Sequence, residues 1–158
     1  MLTTPIDNAG QADQTPQAAA DTWRTYIEPF AGRAKLCAPA VTNSPAGSGM
    51  GLDWLDEFMK ECSDCTIDCV NQHWYDSRGN DASVFKDQIN QASKYGLPVF
   101  VGEFAGIGSS EDISSFLDEV MPWMDSNDQI VGYAYFMVFN GLLTEGDSVS
   151  SIGQTYCG

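Results

Sequence analysis

Basic side chains are scarce in this sequence. Its 158 residues include 7 Lys and Arg against 22 Asp and Glu, and the formal net charge is -15. A chain of that sign is repelled by phosphate backbones and by anionic bilayers, so nucleic acid and membrane are excluded as partners, and a neutral polymer stays compatible. No apolar run reaches the length that spans a bilayer. Neither a Gly-x-Gly-x-x-Gly stretch nor a Walker-type loop occurs, which removes the nucleotide-binding reading of an α/β chain. The opening Met1-Leu2-Thr3-Thr4-Pro5 lacks the basic region and apolar stretch of an export signal.

What is present suits one folded domain over residues 1–158: 43% of the residues are hydrophobic and 11% aromatic. Residues 1–14 read as irregular, 15–139 as alternating helices and strands, and 140–158 as a Gly- and Ser-rich tail without a clear element. Thr15-Pro16 reads as a helix cap and first turn, opening a helix to about Phe30. Strands are predicted over 36–41, 66–75, 97–104 and 130–139. Helices are predicted around Leu52, Leu55, Phe58 and Met59, over 85–94, and from Ser110 through Val120. This α-β-α-β-α-β-α-β order implies a parallel sheet, either open and doubly wound or part of a barrel.

The ends of the strands favour the barrel. Thr42-Asn43, His73-Trp74-Tyr75, Glu103 and Phe139-Asn140 gather polar and aromatic groups where parallel α/β folds build their sites. By position alone, Glu103 is either a catalytic carboxylate or a solvated strand-end side chain. Alternation sets Cys69, Asn71, His73 and Tyr75 on one face, taken as inward because His73 and Glu103 both top their strands. Trp74 then points outward to pack on a helix, entering the cleft only if the strand end twists. Trp23 and Trp123 lie on apolar helix faces and read as core.

The spacing Cys62-x2-Cys65-x3-Cys69 with His73 beyond invites a zinc reading. It lacks two paired knuckles, and a strand carrying Cys69 and His73 cannot close a tetrahedron, so no metal is expected. The loop Asp76-Ser77-Arg78-Gly79-Asn80-Asp81 has no ordered calcium-ligand pattern and reads as a solvated turn. Five cysteines, Cys37, Cys62, Cys65, Cys69 and Cys157, suit an oxidising compartment and leave at least one unpaired. Cys37 and Cys69 either face each other across adjacent strands or stay buried thiols, and Cys157 either pairs with one of them or stays free. An extracellular-looking body without an export signal leads to the expectation that a preceding portion is missing.

An ordered set of short stretches resembles glycoside hydrolase family 128, the glycosyl hydrolase catalytic-core family. They are Pro39-Ala40-Val41-Thr42-Asn43, Trp54-Leu55-Asp56-Glu57-Phe58, Cys62-Ser63-Asp64-Cys65-Thr66-Ile67-Asp68, His73-Trp74-Tyr75, Val101-Gly102-Glu103-Phe104-Ala105, Tyr133-Ala134-Tyr135-Phe136 and Ser151-Ile152-Gly153-Gln154-Thr155-Tyr156. The resemblance implies a partial (β/α)8 TIM barrel made of its last four βα units, secretion to the exterior or cell wall, and cleavage of β-1,3-glucan with retention. It implies Glu103 as nucleophile, His73 and Tyr75 orienting it or binding sugar hydroxyls, and a local Cys62–Cys65 disulfide. Asn43 is a candidate for a sugar hydroxyl or an ordinary turn residue. Tyr135 matches a position where the family often has Trp, and is a stacking platform or core filler. No cofactor is implied, and β-glucan is the implied partner.

The resemblance fails at one position. The family's acid/base Glu stands in an Asn-Glu-Pro stretch, and the residues here are Thr4-Pro5-Ile6, with Pro5 at the Glu position. Retaining hydrolysis needs two carboxyl groups, so little or no hydrolysis is expected, and a non-catalytic β-glucan-binding or wall protein is the alternative. Uncovered strand edges lead to an expectation of self-association.

Overall fold

Thr15 and Pro16 open the first helix as the sequence predicts. The computed structural model describes residues 5–76 and 79–158. In it the Thr15 hydroxyl accepts the Ala18 N–H at 3.2 Å, and helix α1 runs Pro16–Thr22. The chain continues as a π-helical turn, Trp23–Ile27, and a 3-10 turn, Glu28–Phe30. Then follow α2 (Leu52–Glu61), β1 (Val70–Tyr75), α3 (Ala82–Gln91), β2 (Val99–Ala105), α4 (Ser110–Asp125) and β3 (Ile130–Tyr135). Asp81 caps α3 by accepting from the Ser83 and Val84 N–H groups, which starts that helix three residues before its first predicted position. Ser109 and Asp112 close a reciprocal capping box on α4.

The three strands form one parallel sheet in the order β1-β2-β3. Residues 36–41 run alongside β1 as a fourth extended lane. Its bonds are Asp68 N–H to Leu36 C=O at 2.7 Å, Ala38 N–H to Cys69 C=O at 2.7 Å, Val41 N–H to Asn71 C=O at 3.2 Å and His73 N–H to Val41 C=O at 2.9 Å. The predicted strand there is not regular, because Pro39 has no N–H to give and breaks the ladder into isolated bridges. Lanes adjacent in sequence are adjacent in space, without the order reversal of a doubly wound sheet.

The second predicted strand starts late. Its first residue, Thr66, is drawn toward the first helix, its N–H and hydroxyl donating to the Glu28 carboxylate at 2.9 and 2.7 Å. The fourth stops at Tyr135, with one further bond from Phe136 N–H to the Phe104 carbonyl. The tail read as featureless instead forms the hairpin β4 (Thr144–Glu145) and β5 (Ser148–Val149), then helix α5 (Ser151–Cys157) capped by Ser150. Gly153 makes α5 possible, since a Cβ there would come within 2.1 Å of the Leu143 carbonyl oxygen.

Helices cover one face of the sheet. Trp74, Phe85, Phe104 and Phe116 make a ring cluster there, Trp74 lying 5.1 Å from Phe85 and 5.5 Å from Phe116. Burying each such ring contributes about 1.5–3 kcal/mol. Trp23, Trp54 and Phe58 form a second cluster between α1 and α2. Trp123 is partly buried against Phe85. Two disulfides are present, Cys37–Cys69 between the outer lane and β1, and Cys62–Cys65 in the loop after α2, and Cys157 is free and exposed. The cysteines of the zinc reading are thus consumed in disulfides. Ser77 and Arg78 of the loop read as a solvated turn lie outside the described residues; its Asp81 is the α3 cap.

Candidate active site

Strand register decides where Glu103 points. Gln72 pairs with Val101, but the next residue, His73, pairs with Glu103, so Gly102 is an extra residue and the ladder bulges. A bulge turns two successive residues toward one face. Gly102 lies over Asn71 and His73, where a Cβ would stand 2.2 Å from Asn71 Oδ1 and 3.1 Å from His73 Nε2. Glu103 comes round to the same face as His73 and Tyr75. Only glycine fits beneath it.

The Glu103 carboxylate is held from β1. The Tyr75 hydroxyl donates to Glu103 Oε2 at 2.8 Å, and His73 Nδ1 stands 3.3 Å from the same oxygen. The His73 side chain is 1% exposed and that of Glu103 15%. Burial lowers the pKa of His73, against the raising pull of Glu103 and Asp7, so the ring stays neutral at neutral pH. Among the described residues neither ring nitrogen has an aligned hydrogen-bond partner, and the Asn71 amide next to it on the same face is also unpaired. Burial and the bond to Glu103 raise the pKa of Tyr75, so the phenol remains a donor. Glu103 Oε1 carries no hydrogen bond among the described residues.

The other sequence candidates stand around this group in different roles. Asn43 is engaged with protein: its Nδ2 donates to the Tyr75 carbonyl at 3.0 Å and to Gln88 Oε1 at 3.2 Å, and its Oδ1 accepts the Tyr75 N–H at 3.3 Å. It clamps the main chain of the residue that holds Glu103. Trp74 is fully buried on the helix side, its Nε1–H donating to Gln88 Oε1 at 2.6 Å. A cleft position for Trp74 is therefore corrected: alternation turns it away from Glu103. Tyr135 takes the second of its two readings, core filler. Its ring packs 5.3 Å from Phe104 and 5.7 Å from Tyr156, on the helix side with Tyr133, and is 7% exposed.

Sequence reading missed the aromatic that does face the site. Phe136 lies 6.1 Å from the Tyr75 ring, edge to face, and is 41% exposed. The signal was available: if Tyr133 and Tyr135 share the helix face, Ala134 and Phe136 take the other. The buried Asp7 carboxylate is engaged by protein donors. It accepts from Thr42 N–H, the Thr42 hydroxyl at 2.7 Å and Gly51 N–H at 2.5 Å, and the residue is 7% exposed. Among the described residues no group of three or more His, Cys, Asp and Glu side chains is placed to hold a metal, and no helix is long and apolar enough to cross a membrane.

One accessible carboxylate, oriented by a phenol at the ends of parallel strands, is the kind of group a glycosidase uses. The family described as glycosyl hydrolase catalytic core matches residues 5–156. The chain belongs to that family. This catalytic core is 30% identical over 169 residues to alkali-sensitive linkage protein 1 of Schizosaccharomyces pombe, covering 96% of the chain and 29% of that protein. Its structure is similar to a curdlan-specific exo-β-1,3-glucanase of glycoside hydrolase family 128 (subgroup III) from Blastomyces gilchristii, solved with glucose. There the TM-score is 0.88 at 39% identity, over 96% of this chain and 66% of that one. A subgroup IV endo-β-1,3-glucanase from Lentinula edodes gives 0.80 at 27%, with the same coverage of 96% and 66%. The catalytic core described here thus spans under a third of the curated relative and about two thirds of the two solved enzymes.

Proposed function

We propose that this chain carries the nucleophile side of a secreted, retaining glycoside hydrolase site for β-1,3-glucan, in a single domain. The observation that carries this reading is Glu103, accepting from the Tyr75 O–H at 2.8 Å, with the exposed Phe136 ring packed edge to face on that Tyr75. The β-1,3-glucanase activity of its solved relatives supports the substrate class. On this reading the four parallel lanes correspond to the fifth to eighth strands of a (β/α)8 barrel. Glu103 attacks the anomeric carbon, Tyr75 fixes its orientation, and neutral His73 keeps the carboxylate dry on one side.

Hydrolysis by this chain is impaired. The second carboxyl of a retaining pair sits about 5 Å from the first, and here Pro5 takes its place in sequence and the Asp7 oxygens are occupied. The outer lane, 36–41, and exposed Val131 on β3 make strand edges through which the chain self-associates. A non-catalytic β-glucan-binding role is the second reading, favoured by exposed Tyr75, Phe136 and Phe139. Titrating laminaritriose into the labelled protein while following amide NMR shifts tests the reading. Shifts centred on Tyr75, Glu103 and Phe136 support it, and an unmoved spectrum at millimolar sugar defeats it.

A further inference from the structure

We infer that this chain has a second, non-catalytic sugar site: a groove on the helix side of β1 that holds a stretch of β-1,3-glucan chain. The choice of sugar rests on the β-1,3-glucan reading of the strand-tip site. The groove itself stands on its own residues.

Helices α2 and α3 and the loop 43–46 enclose this groove, which has a volume of 640 Å3. Ligand sites commonly measure about 300–1,000 Å3. Gln72 reaches the groove from the sheet beneath. Strand alternation turns it away from His73 and Glu103, to the face that carries Trp74. The groove is therefore a different surface from the one that presents the carboxylate.

The Gln72 side chain is what marks this groove as a site. The residue is 2% exposed. Buried amides find hydrogen-bond partners as a rule, because an unpaired one costs its lost hydration. Here neither amide atom has a partner among the described residues: Oε1 is sealed inside, and Nε2 opens on the groove. A ligand acceptor in the groove would give that N–H its missing bond.

The rest of the lining sets the chemistry of the ligand. Its two charged groups are committed to protein. Asp53 Oδ2 accepts the Gly47 and Gly49 N–H groups at 2.6 and 3.1 Å, and Lys94 Nζ pairs with Asp56 at 2.7 Å. Asn43 is spent on Tyr75 and Gln88. The open polar groups are uncharged: the Gln72 amide on the floor and the exposed amides of Asn90 and Gln91 at the rim. Amides donate and accept, as sugar hydroxyls do. Pro45 and Leu52 add an apolar wall for the C–H faces of the rings. A charged ligand would meet no uncommitted counter-charge, whereas a neutral glucan chain matches both kinds of surface.

The test titrates the whole labelled chain with laminaritriose and follows backbone and side-chain amide signals in both places. Two sets of shifts are expected, one at Tyr75, Glu103 and Phe136 and one at Gln72, Asn90 and Gln91. Gln72→Leu removes the unpaired amide. Its urea midpoint should hold or rise, and its groove set should weaken about two- to tenfold, the worth of a net hydrogen bond, with the strand-tip set unchanged. Gln91→Ala, on the exposed face of α3, should weaken the groove set about twofold or more and serves where Gln72→Leu fails to fold. Shifts at the strand tips alone overturn the inference and leave the nucleophile reading standing. Shifts in the groove alone support the inference and defeat that reading. No shifts in either place overturn both. A groove set that keeps its full strength in the folded variants also overturns the inference.

Discussion

Tyr75 and Glu103, 28 positions apart in sequence, meet across two adjacent parallel strands through a 2.8 Å bond from the phenol to Oε2. That bond is charge-assisted and only partly screened, the kind whose removal costs about 1.5–3 kcal/mol. It fixes the carboxylate in one rotamer with the other oxygen outward.

Tyr75→Phe keeps the ring that packs on Phe136 and deletes the donor. We expect laminaritriose to bind about tenfold more weakly, since about 1.4 kcal/mol is a factor of ten in Kd. The melting temperature should fall by several degrees, since about 1 kcal/mol shifts it by about 2–4 °C in a domain of this size, and calorimetry measures both effects.

His73 is the only histidine in the chain and its folded pKa lies below the ordinary 6.5. Below about pH 6.5 the unfolded chain binds a proton that the folded chain refuses, so the unfolded state holds more protons and stability falls as pH drops. The loss begins at the ordinary value and continues down to the lowered one. The carboxylates whose pKa values are lowered, such as Asp64, Asp68 and Asp112, act only in more acid solution. Urea midpoints should therefore decline between pH 7 and pH 5, and His73→Gln should flatten that slope.

Gly102→Ala places a methyl against Asn71 Oδ1 and His73 Nε2. The site has no spare volume, and overpacking of this sort costs about 1–3 kcal/mol. Denaturant unfolding should show that loss, accompanied by weaker laminaritriose binding as the bulge shifts.

Cys37 and Cys69 lie 32 residues apart and Cys62 and Cys65 only 3. Loop-closure entropy assigns about 3–4 kcal/mol to the long bridge and about 2 kcal/mol to the short one. Replacing Cys37 and Cys69 by Ser should lower the urea midpoint more than replacing Cys62 and Cys65, with both double variants compared in one buffer.

Phe136→Ala removes the exposed aromatic beside Tyr75. An aromatic contact worth about 0.5–1.5 kcal/mol implies laminaritriose binding weaker by roughly twofold to tenfold. Calorimetric titration measures it, and stability should be unaffected because the ring is 41% exposed.

Glu103, His73 and Tyr75 were legible in the sequence because each ends a run of strand-forming residues, and alternation alone set His73 and Tyr75 together. Trp74 was read outward for the same reason, and it is the centre of the ring cluster under the helices. The Gly102 bulge was not legible, because a one-residue slip exists only relative to a partner strand. Tyr135 stands at a family position that often carries Trp, yet strand alternation puts it on the helix face and Phe136 on the other. Pro39 broke its lane because a missing N–H matters only once a neighbour demands it. Helix α5 is short and contains a glycine, so its local preference is weak, and contact with the Leu143 main chain secures it.

Gln88, on α3, offers one carbonyl oxygen to two donors, Trp74 Nε1 and Asn43 Nδ2. That sharing ties the outer layer to the chemistry at the strand tips. A replacement at position 88 would touch no sugar, yet it would release Asn43 from one of its anchors and slacken its grip on the Tyr75 backbone. Glu103 would feel the change two residues removed, as a loss of aim with its own surroundings intact.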